Sequence, residues 1–327
     1  MKNFLFSTIV FVCALLVATG FAEVLLRVKN SSMKNYDVEM WRYSRELKHV
    51  SPDPILGHEH NKNDSAVLQS VTIRTDDRGL RGAAVGSRQD NTRRILFLGA
   101  SITLGWGVKE DDTMTAKLGK MFEQDGQKAE VLNAGIGNYN TERYVELFLT
   151  RLAGLEPTDI VVHYFLRDAE KLQANEGNFL LRNSELALTI WIAATRLLNK
   201  TGEQSIVDHY KQVYAPDAPG WLSAQAGLKK LAAYAKAHKI RIFLAMTPDV
   251  HDLKDYKFNW IHETLKRIAA EDGYTFVDLL PAFGSLPPEQ VWAMPGDPHP
   301  NALGHELMAK AIYPALKNAP TARLQRE

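Results

Sequence analysis

A chain of 327 residues with 45% hydrophobic content is long enough to bury one large core or two small ones. Its 39 lysines and arginines balance 38 aspartates and glutamates, so the composition excludes the strongly basic surface typical of nucleic-acid-binding proteins. The single cysteine, Cys13, excludes an intrachain disulfide.

Residues 1–27 are predicted to form an N-terminal transmembrane anchor. Residues 4–26 are apolar apart from small hydroxyl side chains, one glycine and Glu23. Roughly 20 such residues, at about 1.5 Å each, cross the hydrocarbon core of a bilayer. A cleaved signal peptide stays open as the alternative, because residues 20–22 form a small-x-small site. The apolar run continues past that site, which favours an uncleaved, single-pass anchor with the rest of the chain outside the cytoplasm.

The remainder of the chain divides into segments by its pattern of polar and apolar residues. Residues 28–92 are predicted to be an irregular, polar extension with one strand-like run from Val67 to Ile73. Residues 93–318 alternate apolar strands with amphipathic helices, and residues 319–327 form a tail. Five strands separated by helices predict an α/β domain of three layers around a mostly parallel, five-stranded sheet.

An insertion at about residues 169–220 interrupts this alternation. It contains an apolar run from Leu186 to Leu198 that is too short to span a membrane. The run predicts a buried helix packed on the sheet. A helix resting on the bilayer surface, or lining an acyl pocket, is the alternative.

The first strand of this domain runs straight into the sequence Gly99-Ala100-Ser101. A phosphate-binding Walker loop would need a lysine there, and a dinucleotide fingerprint would need a further glycine. The nucleophile turn of α/β-hydrolases would need glycine where Thr103 stands. The remaining hypothesis is a nucleophilic serine at a helix N-terminus, where free N–H groups stabilise an oxyanion. An ordinary N-cap serine would have the same local sequence.

A base for this serine is found near the C-terminus, where Asp297 and His299 are two residues apart. The prolines that alternate with them favour an extended segment, in which both side chains point to the same side. The carboxylate would then orient the imidazole so that Nε2 can accept the proton of Ser101. A turn aspartate followed by a surface histidine is the alternative. A metal site built from this pair and His305 matches no zinc spacing, and no cofactor is predicted.

In combination these motifs resemble the SGNH/GDSL hydrolase superfamily. The shared features are the Gly-x-Ser turn, "NAGIGNYNT" after the second strand, an aspartate ending the third block and Asp-x-His-Pro-Asn before the last helix. The resemblance covers roughly residues 94–316. The upstream "TIRTDDRGLRG" is similar to the segment that precedes the domain in membrane-anchored bacterial members. The resemblance implies a flavodoxin-like sheet, in agreement with the strand–helix alternation.

The resemblance also implies the roles of the site residues. Ser101 would be the nucleophile, and its N–H would be one oxyanion donor. His299 would be the general base and Asp297 the acid that orients it. Ala100 stands where the family name has aspartate, but that aspartate is not part of the triad.

The two other expected oxyanion donors depart from the family pattern. The glycine of the second block falls at Asn138, preceded by Gly137, and either backbone N–H could serve. The asparagine of the third block is replaced by Arg167, followed by Asp168. Arg167 either replaces the missing amide, or binds an anionic group of the substrate, or pairs with Asp168 in a partly disabled site.

The sequence therefore predicts a serine esterase or acyl-transfer enzyme that acts on O-acyl groups of a cell-surface glycan or lipid through an acyl-serine intermediate. Its expected location is the inner (cytoplasmic) membrane, with the catalytic domain facing the periplasm or the cell exterior. Anchored members of the family imply a membrane-bound acyltransferase as a partner. The alternative is a catalytically weak glycan-binding or accessory protein of an acyltransferase system that retains the fold, and Arg167 is the residue that favours it.

Overall fold

The structure, a computed structural model, describes residues 2–32, 36–172, 179–198, 203–294 and 297–318. In chain order its helices are α1 (Lys2–Ser32), α2 (Tyr36–Glu46), α3 (Ser101–Leu104), α4 (Met114–Gln124), α5 (Thr141–Leu147), α6 (Phe179–Asn183), α7 (Glu185–Leu198), α8 (Glu203–Val213), α9 (Pro219–Ala237), α10 (Asn259–Asp272), α11 (Leu280–Phe283) and α12 (Ala302–Asn318). Its strands are β1 (Lys48–Val50), β2 (His58–His60), β3 (Ser65–Leu68), β4 (Val71–Arg74), β5 (Arg93–Gly99), β6 (Ala129–Gly135), β7 (Asp159–Tyr164), β8 (Arg241–Met246), β9 (Thr275–Asp278), β10 (Trp292–Met294) and β11 (Asp297–Pro300). These elements belong to two compact units, one of residues 1–46 and 175–202 and one of residues 47–174 and 203–327.

The larger unit is built around a five-stranded parallel sheet in the order β6-β5-β7-β8-β9. This confirms the predicted α/β class and the parallel sheet. The register sets Gly99 at the end of β5 opposite Gly135 of β6 and His163 of β7. Three neighbouring strands therefore end at the same level, and the turns that follow them gather at one edge of the sheet.

The side chains of β5 show why the domain has three layers. Leu96 and Leu98 belong to the apolar core that also contains residues of α5, α9 and α10. Ile95 and Phe97 belong to a second core, which contains residues of α4 and α12. Because successive side chains of a strand point to opposite faces, a continuous apolar run is buried on both sides of the sheet.

The extension after residue 28 is more regular than its sequence suggests. It contains α2 and two hairpins, β1 with β2 and β3 with β4. The single strand expected from Val67 to Ile73 is wrong, because the chain reverses at Gln69 and Ser70, whose φ angles are 52° and 60°. Two consecutive left-handed residues are the pattern of a tight type I′ hairpin turn, which the sequence hides because neither residue is glycine or asparagine.

The smaller unit contains α1, α2, α6 and α7. Residues Asn3–Asn30 of α1 are long and apolar enough to cross a membrane. Of the predicted insertion, residues 175–202 belong to this unit, whereas α8 and α9 belong to the larger one. The expectation of a buried helix from Leu186 to Leu198 is wrong, because Ile190 and Leu197 of α7 are 60% and 75% exposed.

Candidate active site

Ser101 is the first residue of α3, a single helical turn seated directly on the ends of β5 and β6. This close approach requires glycine on both strands. A methyl group at Gly99 would lie 2.0 Å from Thr103 Oγ1, and one at Gly135 would lie 2.1 Å from the backbone nitrogen of Leu104. The glycines of the two sequence motifs thus give the serine its position at the edge of the sheet.

The structure brings Ser101 and His299 together, with 2.7 Å between Oγ and Nε2. His299 is buried and lies on β11, which pairs with β10 in a short antiparallel hairpin. Asn301 follows at once and caps α12, its side-chain oxygen accepting the N–H groups of Leu303 and Gly304. A nucleophile and a base at hydrogen-bond distance are the geometry that acyl transfer requires.

Asp297, the predicted orienting acid, lies on the same strand two residues before His299. The position of its side chain is outside the described part of the structure. The link between the two residues therefore remains a prediction.

Arg81, in the upstream "DRGLRG" segment, supports the helix that carries Ser101. Its buried guanidinium donates to three backbone carbonyls at the end of α3 and just beyond it, those of Leu104 (2.5 Å), Gly105 (2.7 Å) and Val108 (2.6 Å). These include carbonyls that a helix C-terminus leaves without intrahelical partners. A positive charge at this end of a helix is also favourable for the helix dipole.

The turn after β6 carries the predicted donors Gly137 and Asn138. Asn138 has φ of 64°, the left-handed conformation that asparagine tolerates better than most residues. The carbonyl of Gly137 accepts from Lys48 Nζ at 3.2 Å and from His58 Nε2 at 3.1 Å. Burial lowers the pKa of His58 to about 2, so its ring is neutral, and its Nδ1 lies 3.4 Å from Arg143 Nη1. Side chains of the extension therefore hold this turn as well.

Arg167 lies in the turn after β7. In the sheet, β7 flanks β5 on the side opposite to β6. Its side chain is 56% exposed, and its Nε lies 3.3 Å from Glu170 Oε2. The other carboxylate oxygen of Glu170 lies 3.1 Å from His209 Nε2. Asp168 is buried, accepts the N–H of Phe165, and has its pKa raised well above its usual range by burial. The suggestion that Arg167 is a buried partner of Asp168 is wrong, since the guanidinium is in solvent.

A neutral histidine lies under the nucleophile turn. His163 is buried between two hydroxyls, with Thr103 Oγ1 2.9 Å from Nδ1 and Thr247 Oγ1 2.5 Å from Nε2. Burial lowers its pKa to about 3. His305 is also buried, and its Nδ1 accepts the backbone N–H of Met114. His163 therefore supports the turn from behind through Thr103, whereas His305 holds the start of α4.

The sequence does not predict the residues that support the turns of the site. Arg81, Lys48 and His58 lie outside the domain that the motifs define, and buried charge cannot be read from a polar, turn-rich segment. The one available signal was the "DRGLRG" similarity to anchored family members, which marks the segment without assigning it a role.

Comparison with known proteins places the chain in a family. The profile of the GDSL-like Lipase/Acylhydrolase family matches residues 97–307, well over half of the chain. No curated protein gives a significant match.

Among solved structures, the chain is similar to an acetylxylan esterase from Geobacillus stearothermophilus (16% identity, 74% of this chain and 99% of that one, TM-score 0.46). It is also similar to a two-domain esterase active on acetylated mannans (17%, 72% and 52%, TM-score 0.44) and to a GDSL-like lipase from Bacteroides thetaiotaomicron (16%, 72% and 94%, TM-score 0.42). From its family profile, the chain belongs to the GDSL-like lipase/acylhydrolase family, the SGNH/GDSL hydrolases that its motifs predict, and is an ester-bond hydrolase.

Proposed function

We propose that this protein is a membrane-anchored serine esterase or O-acyl-transfer enzyme that works through an acyl-Ser101 intermediate. The observation that carries the proposal is the 2.7 Å contact between Ser101 Oγ and His299 Nε2 at the carboxyl edge of the sheet. A serine is a weak nucleophile unless an adjacent base removes its proton as it attacks.

The proposed reaction has two halves. In the first, Ser101 Oγ attacks the ester carbonyl and His299 Nε2 takes the hydroxyl proton. Collapse of the tetrahedral intermediate breaks the bond to the alcohol, which leaves with that proton, and the acyl group stays on Ser101. In the second half, water or an acceptor hydroxyl attacks the acyl carbon while His299 takes its proton. The acid or the new ester leaves, and the proton returns to Ser101.

Asp297 has the orienting role in this scheme, holding His299 Nδ1 so that Nε2 faces the serine. The negative charge of the tetrahedral intermediate falls to the backbone N–H of Ser101, to the turn at Gly137 and Asn138, and to Arg167. Loss of one donor of this kind typically costs about 10² to 10³ in rate. An exposed guanidinium in place of the family amide suits a substrate that carries an anionic group.

The substrate class that we propose is an O-acylated glycan or lipid at the cell surface. Residues 4–26 would anchor the chain in the inner membrane, with the hydrolase domain in the periplasm or at the cell exterior. A membrane-bound acyltransferase is the proposed partner. An intact mass that includes residues 1–22 in the membrane fraction would support the uncleaved anchor, and an N-terminus at Glu23 would overturn it.

A second candidate is a catalytically weak glycan-binding or accessory protein, and Arg167 in the third block favours it. The two functions are separated by Arg167→Asn, which restores the family residue, and Arg167→Ala. If Arg167 is a donor, Arg167→Ala lowers turnover of p-nitrophenyl acetate by about 10² or more, whereas Arg167→Asn retains most of it. A sharp rise in Arg167→Asn would instead mark a site that has lost its activity on simple esters.

The central test uses the full chain in detergent, with p-nitrophenyl acetate as substrate and a fluorophosphonate to label the nucleophile. We expect hydrolysis and labelling in the parent chain, and neither in Ser101→Ala. Ser285→Ala, a change at an exposed serine of the same unit, is the matched control and retains both. If the parent and Ser101→Ala are equally inert and unlabelled, the esterase proposal is wrong.

A further inference from the structure

Helix α7 has an exposed apolar stripe in a unit that also contains the candidate membrane span. Ile190, Ala193, Ala194 and Leu197 are all exposed and recur at the i, i+3, i+4 and i+7 positions of a single helix face. Trp191 lies beside this stripe; it is 46% exposed and its ring makes an edge-to-face contact with Trp41 of α2. A helix in water normally turns such a stripe toward a core, so an exposed one marks a surface that contacts something apolar.

The beginning of α7 is tied to α1 through Glu23. This carboxylate accepts the Ser184 hydroxyl at 2.9 Å and the backbone N–H groups of Glu185 and Leu186 at 3.0 Å each. Glu23 thus accepts N–H groups of the first turn of α7, as an N-cap side chain does, although it lies about 160 residues earlier in the chain. Arg27 adds a bond to the carbonyl of Asn183.

The position of Glu23 sets where the N-terminal end of α7 lies relative to the hydrocarbon core of a bilayer. The apolar residues Phe4–Ala22 that precede it span roughly 28 Å as a helix, close to the ~30 Å hydrocarbon core. Residues 3–21 of α1 are exposed, whereas burial begins at Ala22. The first turn of α7 therefore meets α1 at the level where the hydrocarbon ends, and among the described residues nothing covers the span below that level.

The polar groups on α7 are arranged for an apolar environment. The hydroxyls of Thr189 and Thr195 donate to the carbonyls of Glu185 and Trp191, one turn earlier. The same arrangement occurs for Thr19 in α1, which donates to the carbonyl of Leu15. A hydroxyl satisfied by its own helix can enter lipid without leaving a donor unpaired.

We propose that α7 lies on the outer surface of the phospholipid bilayer, with the stripe of Ile190, Ala193, Ala194 and Leu197 inserted among the headgroups and upper acyl chains. The inference rests on the proposed anchor and not on the esterase chemistry. Interfacial helices bury such a face by about 5–10 Å, so the span and α7 together hold this unit at two points. Attachment at two points requires that residues 4–22 stay on the mature chain, because these residues of α1 are the span.

The test uses nitroxide labels on the full chain in vesicles of phosphatidylethanolamine and phosphatidylglycerol without any other protein. The native Cys13, the one cysteine, reports on the span itself. In a Cys13→Ser background, Ile190→Cys and Leu197→Cys report on α7. Leu222→Cys is the matched control, since Leu222 is a 49% exposed leucine on a helix of the larger unit. Accessibility is measured to oxygen, which partitions into lipid, and to a water-soluble nickel complex. Thermal unfolding followed by circular dichroism shows that each variant is folded.

We expect the label at Cys13 to be deep in lipid, the labels at 190 and 197 to be shallow but favouring oxygen, and the label at 222 to favour nickel. If 190 and 197 are as accessible to nickel as 222 while Cys13 is in lipid, the anchor is right and the α7 inference is wrong. That result would assign the stripe to a protein partner instead. If Cys13 also favours nickel, the anchor itself fails.

Discussion

Replacing Arg81 with methionine is the sharpest test of how the nucleophile is held. The change keeps an unbranched chain of similar length but removes three hydrogen bonds, of 2.5–2.7 Å, to the carbonyls of Leu104, Gly105 and Val108. Bonds from a charged donor contribute about 1.5–3 kcal/mol each. Because the change also removes a buried charge, and with it the cost of keeping that charge out of water, the loss is smaller than the sum of the three bonds. We expect the unfolding free energy to fall by about 3–5 kcal/mol.

The kinetic effect of Arg81→Met follows from the brevity of α3. A four-residue helix that loses the partners of its last carbonyls will shift, and Ser101 is its first residue. A displacement of about 1 Å at a reacting atom can lower the rate about 10²-fold. We therefore expect kcat for p-nitrophenyl acetate to fall about 10- to 100-fold while KM changes little, since Arg81 is buried and directed at backbone carbonyls.

The matched control for Arg81→Met is Arg74→Met, at the last residue of β4 in the same extension. Arg74 makes a two-point ion pair with Glu110 but is 54% exposed, and such surface pairs contribute at most about 1 kcal/mol. Urea unfolding and steady-state kinetics on the two variants decide the matter. If Arg81→Met behaves like Arg74→Met in both assays, the assignment of Arg81 as a positioning residue is refuted.

Three further outcomes are expected. Gly99→Ala should abolish hydrolysis, because its methyl group would lie 2.0 Å from Thr103 Oγ1, whereas Gly119→Ala, in open space on α4, should stabilise the chain by about 0.5–1 kcal/mol; equal thermal midpoints for both would contradict this packing. As the pH falls from about 6.5 to 3, His163 takes up a proton in the unfolded chain but stays neutral in the folded one. His163 alone should therefore lower the free energy of unfolding by up to about 1.4 kcal/mol per pH unit, and His163→Gln should reduce the slope of stability against pH in urea titrations by that amount. Asp159→Asn should cost about 3–5 kcal/mol in chemical unfolding, because the buried carboxylate pairs with two arginines that would lose their partner; a loss below about 1 kcal/mol would show the cluster to be solvated.

The sequence was sufficient for the sheet and for the Ser101–His299 pair because both leave local signals. Strand and helix periods are read from short windows, and the Gly-x-Ser and Asp-x-His motifs each occupy a few residues. The family resemblance then linked the two motifs, which stand 198 positions apart. The geometry that joins them is a consequence of parallel strands ending at a common level.

The support of the site was beyond the reach of the sequence because it is made by long-range polar contacts. Arg81 and Lys48 read as surface residues in a polar segment, yet their functional groups are directed at backbone carbonyls of distant turns. The prediction that α7 is buried was wrong for a different reason. An apolar run predicts burial in protein, and nothing within the run itself distinguishes a protein core from a lipid surface.

The 198-residue separation between Ser101 and His299 has a consequence for how the enzyme matures. Contacts between distant parts of a chain form slowly, because the loop between them must be closed before they stabilise anything. His299 lies on the strand just before α12, near the C-terminal end of the folded domain, so the proposed base meets Ser101 only after this last segment has folded onto the sheet. A chain whose C-terminal segment has not yet folded is therefore inactive. Recovery of hydrolysis during refolding should accordingly follow the slowest phase, after helical signal has returned.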